Sequence, residues 1–319
     1  MAELTNTRRV IPLLPGELLV EASWGGFMVV PTFNLDVAIG VVRDGVIEPW
    51  TTRLVQDLLR PGDIYLNAGA NFGYYVCLAG RLVGSEGRVI GVEPNPYILP
   101  FLMKSLFWNG TINHSEVLAR ALSAEIGEVV SFGFDPQYLG GGNMFGSSRP
   151  APATGMLAKA LETAFWSADT VSQLLDAEGK WIRGKGTILP FMATTTTIDN
   201  LVRHLDLPRV DLLHLDIEGA EPFALLGAQR LIDTAPRLRM ITEWAADHYT
   251  IRGSAASRAA FDTVWAQTER LGWRVRHIES RVAPNGGIYL SSPLTHEQMT
   301  TSAPHGDYFW APANLDLGA

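Results

Sequence analysis

Beginning at Asp63, the chain alternates short apolar runs with glycine turns and helix-patterned segments, and this repetition leaves few architectures open. Asp63–Asn67 reads as a buried strand, followed by a glycine turn, a helix through about Arg81, a strand over Arg88–Glu93 and a helix near Pro96–Asn109. Parallel strands need a long crossover and a helix supplies it, so the alternation predicts βαβ units and a mostly parallel sheet. Val117–Leu122 and Val129–Phe134 read as further strands, the second antiparallel. The regular pattern resumes with a helix over Thr197–His204, a buried strand over Val210–Asp216, a helix over Ala220–Ile232 and a strand over Leu238–Glu243. It closes with a helix over Arg258–Leu271, a strand over Trp273–Ile278 and another near Gly287–Leu290. The expected fold class is α/β, with an open sheet.

Two stretches stand outside that pattern. In residues 1–50, Leu18–Val20, Phe27–Val30 and Val37–Val42 are apolar runs between turn residues, which predicts a β-rich N-terminal extension. Apolar positions from Glu48 to Arg60 recur at helical spacing until Pro61-Gly62 ends them. Residues 135–188 open with Gly140-Gly141-Gly142 and carry helical patterns over Met156–Trp166 and Thr170–Leu175. They are expected to form a central insertion, hinged at the glycines, that covers the sheet's carboxyl edge and selects what binds there. The organisation is thus an extension (1–50), a first half of the main domain that carries the glycine turn (51–134), an insertion or lid (135–188), and the second half with the C-terminal strands (189–319).

With 47% hydrophobic and 18% charged residues the chain can bury a core, and disordered or fibrous readings fall away. The formal charge of −8 gives no global reason to seek phosphate backbones or anionic lipid. Cys77 is the only cysteine, which removes intrachain disulfides, Cys₄ zinc sites and CxxC redox pairs and suits a reducing cytoplasm. Pro12, Pro15 and Glu17 break the apolar stretch after Arg8 and Arg9, so no signal peptide is expected there, and no uninterrupted 18-residue apolar segment predicts membrane insertion.

The strongest local constellation is Asp63-Ile-Tyr-Leu-Asn67-Ala-Gly69-Ala-Asn71-Phe-Gly73-Tyr-Tyr75. A buried strand running into glycines and then a helix lets the backbone approach a ligand without a Cβ clash. Taken alone the turn fits a nucleoside-containing cofactor, another ligand or a purely structural bend, because Gly69-x-Asn71-x-Gly73 is not GxGxxG. Val89-Ile-Gly-Val-Glu93 ends in an acid 20 residues after Gly73, and a carboxylate at that strand end can accept both hydroxyl hydrogens of a ribose. The pair points to an adenosine-containing cofactor, with Ser123 after the third strand as a residue that could border the adenine.

These residues resemble the FkbM family of class I S-adenosylmethionine-dependent methyltransferases. The resemblance rests on LNAGANFGYY at Leu66–Tyr75, VIGVEPNP at Val89–Pro96, LHLDIEGAE at Leu213–Glu221, Gly227-Ala228 and Thr242-Glu243. It implies a Rossmann-like class I methyltransferase sheet, S-adenosylmethionine as cofactor and transfer of a methyl group, usually to oxygen. Asn67, Gly69, Asn71, Gly73 and Glu93 then match the cofactor positions, although the family commonly has aspartate where this chain has Asn67.

The reaction end is read from carboxylates. Asp216-Ile-Glu218-Gly219-Ala-Glu221 follows a buried strand and Glu243 ends the next one, so their side chains reach the ligand crevice. Asp216, Glu243 and His248 are the candidates for positioning a hydroxyl and removing its proton. Asp216, Glu218 and Glu243 alternatively hold Mg²⁺, although direct hydrogen bonds to a sugar satisfy the same acids. His214 lies deeper in an apolar strand and reads as a core histidine, and Cys77 reads as packing. Trp244 and Tyr249 read equally as a sugar-stacking wall or as core. Asn95-Pro96-Tyr97 lacks the second proline of the motif used by amino-methylating nucleic-acid enzymes, and no nucleic-acid partner is expected. The reading is an O-methyltransferase acting on a hydroxylated small molecule, a sugar or glycosylated metabolite. An NAD-linked oxidoreductase and a catalytically silent nucleotide- or glycan-binding protein are the alternatives.

Overall fold

The computed structural model describes residues 8–32, 34, 37–135, 138–145, 189–250, 253–282, 287–315 and 317. The expected helices over Met156–Trp166 and Thr170–Leu175, and most of the expected lid, lie outside the described residues. The N-terminal extension begins with an antiparallel sheet of β1 (Val10–Pro12), β2 (Glu17–Glu21) and β3 (Phe27–Pro31). The third expected strand is instead a helix, α1 (Val37–Asp44). Asn34 Oδ1 accepts the N–H of Ala38 at 2.6 Å at its start, and Ala38 and Val41, three apart, are the buried positions.

The main sheet follows from α2 (Pro49–Leu58), β4 (Ile64–Ala68), α3 (Tyr74–Val83), β5 (Arg88–Val92), α4 (Leu99–Asn109) and β6 (Ser115–Leu118). Proline at the first turn of α2 and of α4 presets their backbone without losing a helical hydrogen bond. The run Val117–Leu122 does not stay in one sheet, because β7 (Ala121–Leu122) leaves it. With β8 (Val129–Asp135), β9 (Tyr138–Phe145) and β10 (Leu189–Thr196), β7 forms a second sheet of order β7-β10-β8-β9. Gly140–Gly142 therefore lie within β9, beside its register shift against β8, and do not form a loop. β8 is antiparallel to β10, whereas β7 is parallel to it.

The second half contributes α5 (Ile198–His204), β11 (Leu212–Leu215), α6 (Glu221–Leu226), α7 (Gln229–Thr234), β12 (Arg239–Trp244), α8 (Ala246–Thr250) and α9 (Ala255–Arg270). It ends with β13 (Trp273–Val282), β14 (Ile288–Leu290), α10 (His296–Thr301) and β15 (Gly306–Pro312). The single helix expected over Ala220–Ile232 is broken at Gly227, where a Cβ would stand 2.4 Å from the Ser123 carbonyl oxygen. The strand order of the eight-stranded sheet is β14-β13-β15-β12-β11-β4-β5-β6. β6, β5, β4, β11 and β12 are parallel, and β15 is inserted antiparallel between β12 and β13. Side chains alternate across β4, so Tyr65 packs with Phe72, Leu78 and Leu102 on one face while Leu66 packs with Leu213 and Phe261 on the other. β4 and β11 are adjacent although their crossovers leave in opposite directions, and the crevice at such a reversal is where open α/β sheets bind ligands.

Candidate active site

At that reversal lies a cavity of about 630 Å³, walled by the ends of β4, β5, β11 and β12, by the N-terminal extension and by the second sheet. Its floor is the turn after β4. Gly69, Asn71 and Gly73 all have positive φ (77°, 49° and 92°), and a Cβ on Gly69 would stand 1.7 Å from the Asp216 carbonyl oxygen. Only glycine permits the turns after β4 and β11 to approach so closely. The N–H groups of Gly69 and Ala70 donate to the Val92 carbonyl at 3.0 and 3.1 Å, which ties the turn to β5.

Glu93 completes this wall. Its Oε2 accepts the N–H of Asn71 and its Oε1 the N–H of Asn95, both at 2.8 Å, while the residue is 6% exposed. Burial pushes the carboxyl up to about 7 against the pull of those two N–H groups. Each oxygen retains acceptor capacity for a ligand hydroxyl. Ser123 and Arg120 line the cavity beside β7, and Phe132 and Phe191, stacked at 4.9 Å and 8°, line it from the second sheet. Asn67 does not line it. That side chain is buried in β4, with its amide nitrogen 3.4 Å from the carbonyls of Ala68 and His214, because neighbouring strands flank it on both sides. Gly73 shapes the start of α3 instead, where a Cβ would meet Leu102 at 3.0 Å.

Asp216, Glu218, Glu243 and His248 do come together along the opposite wall, joined by Glu48. Burial, then repulsion from Glu48, Glu243, Asp307 and Glu218, raises the Asp216 carboxyl well above the usual carboxylate range. Asp216 makes no side-chain hydrogen bond among the described residues. Glu243 Oε1 lies 3.0 Å from His305 Nε2, and its Oε2 is buried without a hydrogen-bond partner among the described residues. Glu221 stands back from the cavity as a brace whose Oε1 accepts the Ile217 N–H at 2.8 Å. No three His, Cys, Asp or Glu side chains are grouped to hold a metal ion among the described residues, so Asp216, Glu218 and Glu243 do not form the donor set that Mg²⁺ needs.

The remaining expectations separate cleanly. His214 is a core histidine whose Nδ1 lies 2.9 Å from the Tyr65 hydroxyl, and burial pushes it down to about 3. Cys77 is buried, and burial pushes its thiol upward. Trp244 donates to the Met299 carbonyl at 2.9 Å and stacks on Phe261, while Tyr249 bonds Asp262 at 3.0 Å, so both belong to packing. Sequence reasoning missed Glu48, Tyr75, Arg120, Phe132 and Phe191. The alternation of Phe191, Ala193 and Thr195 was the available signal for β10, whereas Glu48 belongs to no local motif.

A parallel sheet with a glycine turn, a buried strand-end acid and a cavity at the strand-order reversal defines a Rossmann-like protein of the nucleoside-binding type. More particularly, the methyltransferase FkbM domain matches residues 67–275, the larger part of the chain, which therefore belongs to the FkbM methyltransferase family. The eight-stranded sheet is the class I methyltransferase sheet that the sequence led us to expect. No curated protein matches the chain in sequence. Solved structures to which it is similar include an S-adenosylmethionine-dependent O-methyltransferase from Thermotoga maritima (13% identity, 93% of this chain and 77% of that chain, TM-score 0.37). Others are an O-methyltransferase from Bacillus cereus in complex with SAH (12%, 86% and 84%, 0.41) and TomG from Streptomyces achromogenes in complex with SAM (12%, 86% and 85%, 0.40).

Proposed function

We propose that the protein transfers the methyl group of S-adenosylmethionine to a hydroxyl of a small molecule, a sugar or glycosylated metabolite being the acceptor class. The observation that carries this is the division of one cavity into two ends: a buried Glu93 on a glycine turn, and a facing wall where the Asp216 side chain and Glu243 Oε2 have no hydrogen-bond partner among the described residues. The cofactor supplies an electrophilic methyl group. Glu93 accepts its ribose hydroxyls, the backbone of Gly69–Asn71 lies against it, and Ser123 borders its base. Asp216, held toward its protonated form, offers a donor, and Glu243 Oε2 an unmet acceptor, to a ligand rich in hydroxyls, as a polyol is. Fixing a hydroxyl there and excluding water lowers the barrier by orientation. His248, buried beside Trp244, stands at the same end.

Calorimetry with S-adenosylmethionine, its demethylated product and NAD tests the cofactor, and mass gain of one methyl group across a library of hydroxylated compounds tests the transfer. Asp216→Asn and Glu243→Gln should each slow transfer at least tenfold while changing cofactor affinity less than threefold, on the order of the losses for positioned groups. Binding of NAD without either sulfur compound would support the oxidoreductase alternative. Cofactor binding with no methylated product from any acceptor would favour the silent binding protein.

A further inference from the structure

The sequence sets the first fifty residues apart as an extension, yet Val37, Ile47 and Glu48 of that stretch line the cavity. Glu48 is held at φ 42° and ψ 71°, a left-handed conformation in a residue that carries a side chain and precedes Pro49. Proline pushes its predecessor toward extended backbone, a left-handed conformation is strained in any residue with a side chain, and such a residue persists only where its surroundings hold it. The hold is visible. The Tyr75 hydroxyl donates to Glu48 Oε2 at 2.7 Å, and the Tyr75 ring is itself buried edge-on against His214 at 4.5 Å. Glu48 Oε1 has no hydrogen-bond partner among the described residues.

We propose that Glu48 accepts the proton of the acceptor hydroxyl, so that the N-terminal extension supplies a catalytic residue; this rests on the methyl-transfer reading above. As the acceptor oxygen bonds to the methyl carbon, the carbon–sulfur bond breaks with its electron pair left on sulfur. The hydroxyl proton passes to Glu48 Oε1 and from there to water.

The other candidates are occupied differently. Asp216 is held toward its protonated form and is suited to donate a hydrogen bond, and Glu243 already engages His305 through one oxygen. Burial and then repulsion from Asp307 push Glu48 up to about 8, against the Tyr75 hydrogen bond, which leaves a base whose strength matches neutral operation. The titratable groups facing it are Tyr65 of β4, Tyr74 and Tyr75 of α3, Asp216 after β11, Glu243 of β12, and His305 and Asp307 at β15.

The test measures acceptor methylation against pH in the wild type and in Glu48→Gln, Tyr75→Phe and Asp307→Asn, with cofactor affinity and circular dichroism as controls. The wild-type rate should rise with pH and level off above about 8. Glu48→Gln should lower kcat by about 10²-fold or more and abolish that rise, with cofactor affinity retained. Tyr75→Phe removes a donor to the carboxylate and should move the rise to higher pH, whereas Asp307→Asn removes a like charge and should move it lower. NMR titration of the Glu48 carboxyl carbon in the free protein should show the same opposite displacements. If Glu48→Gln fails to fold, the opposite displacements alone decide. Full turnover with an unaltered pH profile in folded Glu48→Gln, or displacements of the same sign, would overturn the proposal alone. Absence of methyl transfer in the wild type would overturn it together with the reading on which it rests.

Discussion

Glu93 illustrates how one side chain can be built into a backbone before any ligand arrives. Two N–H groups fix its oxygens, and burial sets its ionisation near 7, so the free carboxyl is protonated below that value and anionic above it. Ribose hydroxyls donate best to the anion, hence cofactor affinity should rise with pH through about 7. Glu93→Gln should weaken the cofactor by about 1–3 kcal/mol and flatten that pH dependence, both read by calorimetry. An unchanged affinity and pH profile in the folded variant would remove Glu93 from the ribose. Gly69, Asn71 and Glu93 were legible from sequence because their spacing records a backbone geometry that few other residues permit. Asn67 was misread because a strand-end position says nothing of how tightly β5 and β11 close over it. Glu48 was unreadable for another reason: its role depends on Tyr75, Asp216 and Asp307, which are distant in sequence.

Periodicity located the βαβ elements because each buries a face through its own repeat. It failed where contact with another element decides the conformation. The apolar pattern over Ala220–Ile232 suits one helix, but the carbonyl of Ser123 occupies the space beside Gly227. In a continuous helix Gly227→Ala would stabilise by about 0.5–1 kcal/mol. Across the observed break it should instead destabilise by about 1–3 kcal/mol, since the Cβ would also lie 3.1 Å from that of Thr197. The denaturant midpoint gives the sign, and displacement of Ser123 should weaken cofactor binding as well. A raised midpoint would contradict the close approach. β15 was overlooked because its seven residues follow a stretch without strand–helix alternation, and its place between β12 and β13 is settled only by pairing across the sheet.

Across the molecule, Glu48, Glu93, Asp216 and Glu221 all have ionisation raised chiefly by burial. The folded state therefore keeps protons that the unfolded chain has released. Their stabilising effect is complete below the ordinary carboxylate range and is lost as pH climbs through the folded values, about 7 for Glu93 and about 8 for Glu48 and Glu221. His214, pushed down to about 3, stays neutral across that window. The thermal midpoint of the free protein should thus fall between about pH 6.5 and 8.5, with a smaller fall in Glu48→Gln, as scanning calorimetry would show. A rising midpoint would contradict the ionisation order. The two ends of the cavity also differ in how far apart in the chain their partners lie. Glu93 bonds residues 22 and 2 positions away, whereas the Thr51 hydroxyl beside Glu48 donates to Asp307 across 256 positions. The end that holds Glu93 is thus assembled from one short stretch of chain, whereas the end beside Glu48 exists only once the extension and the last strand have met.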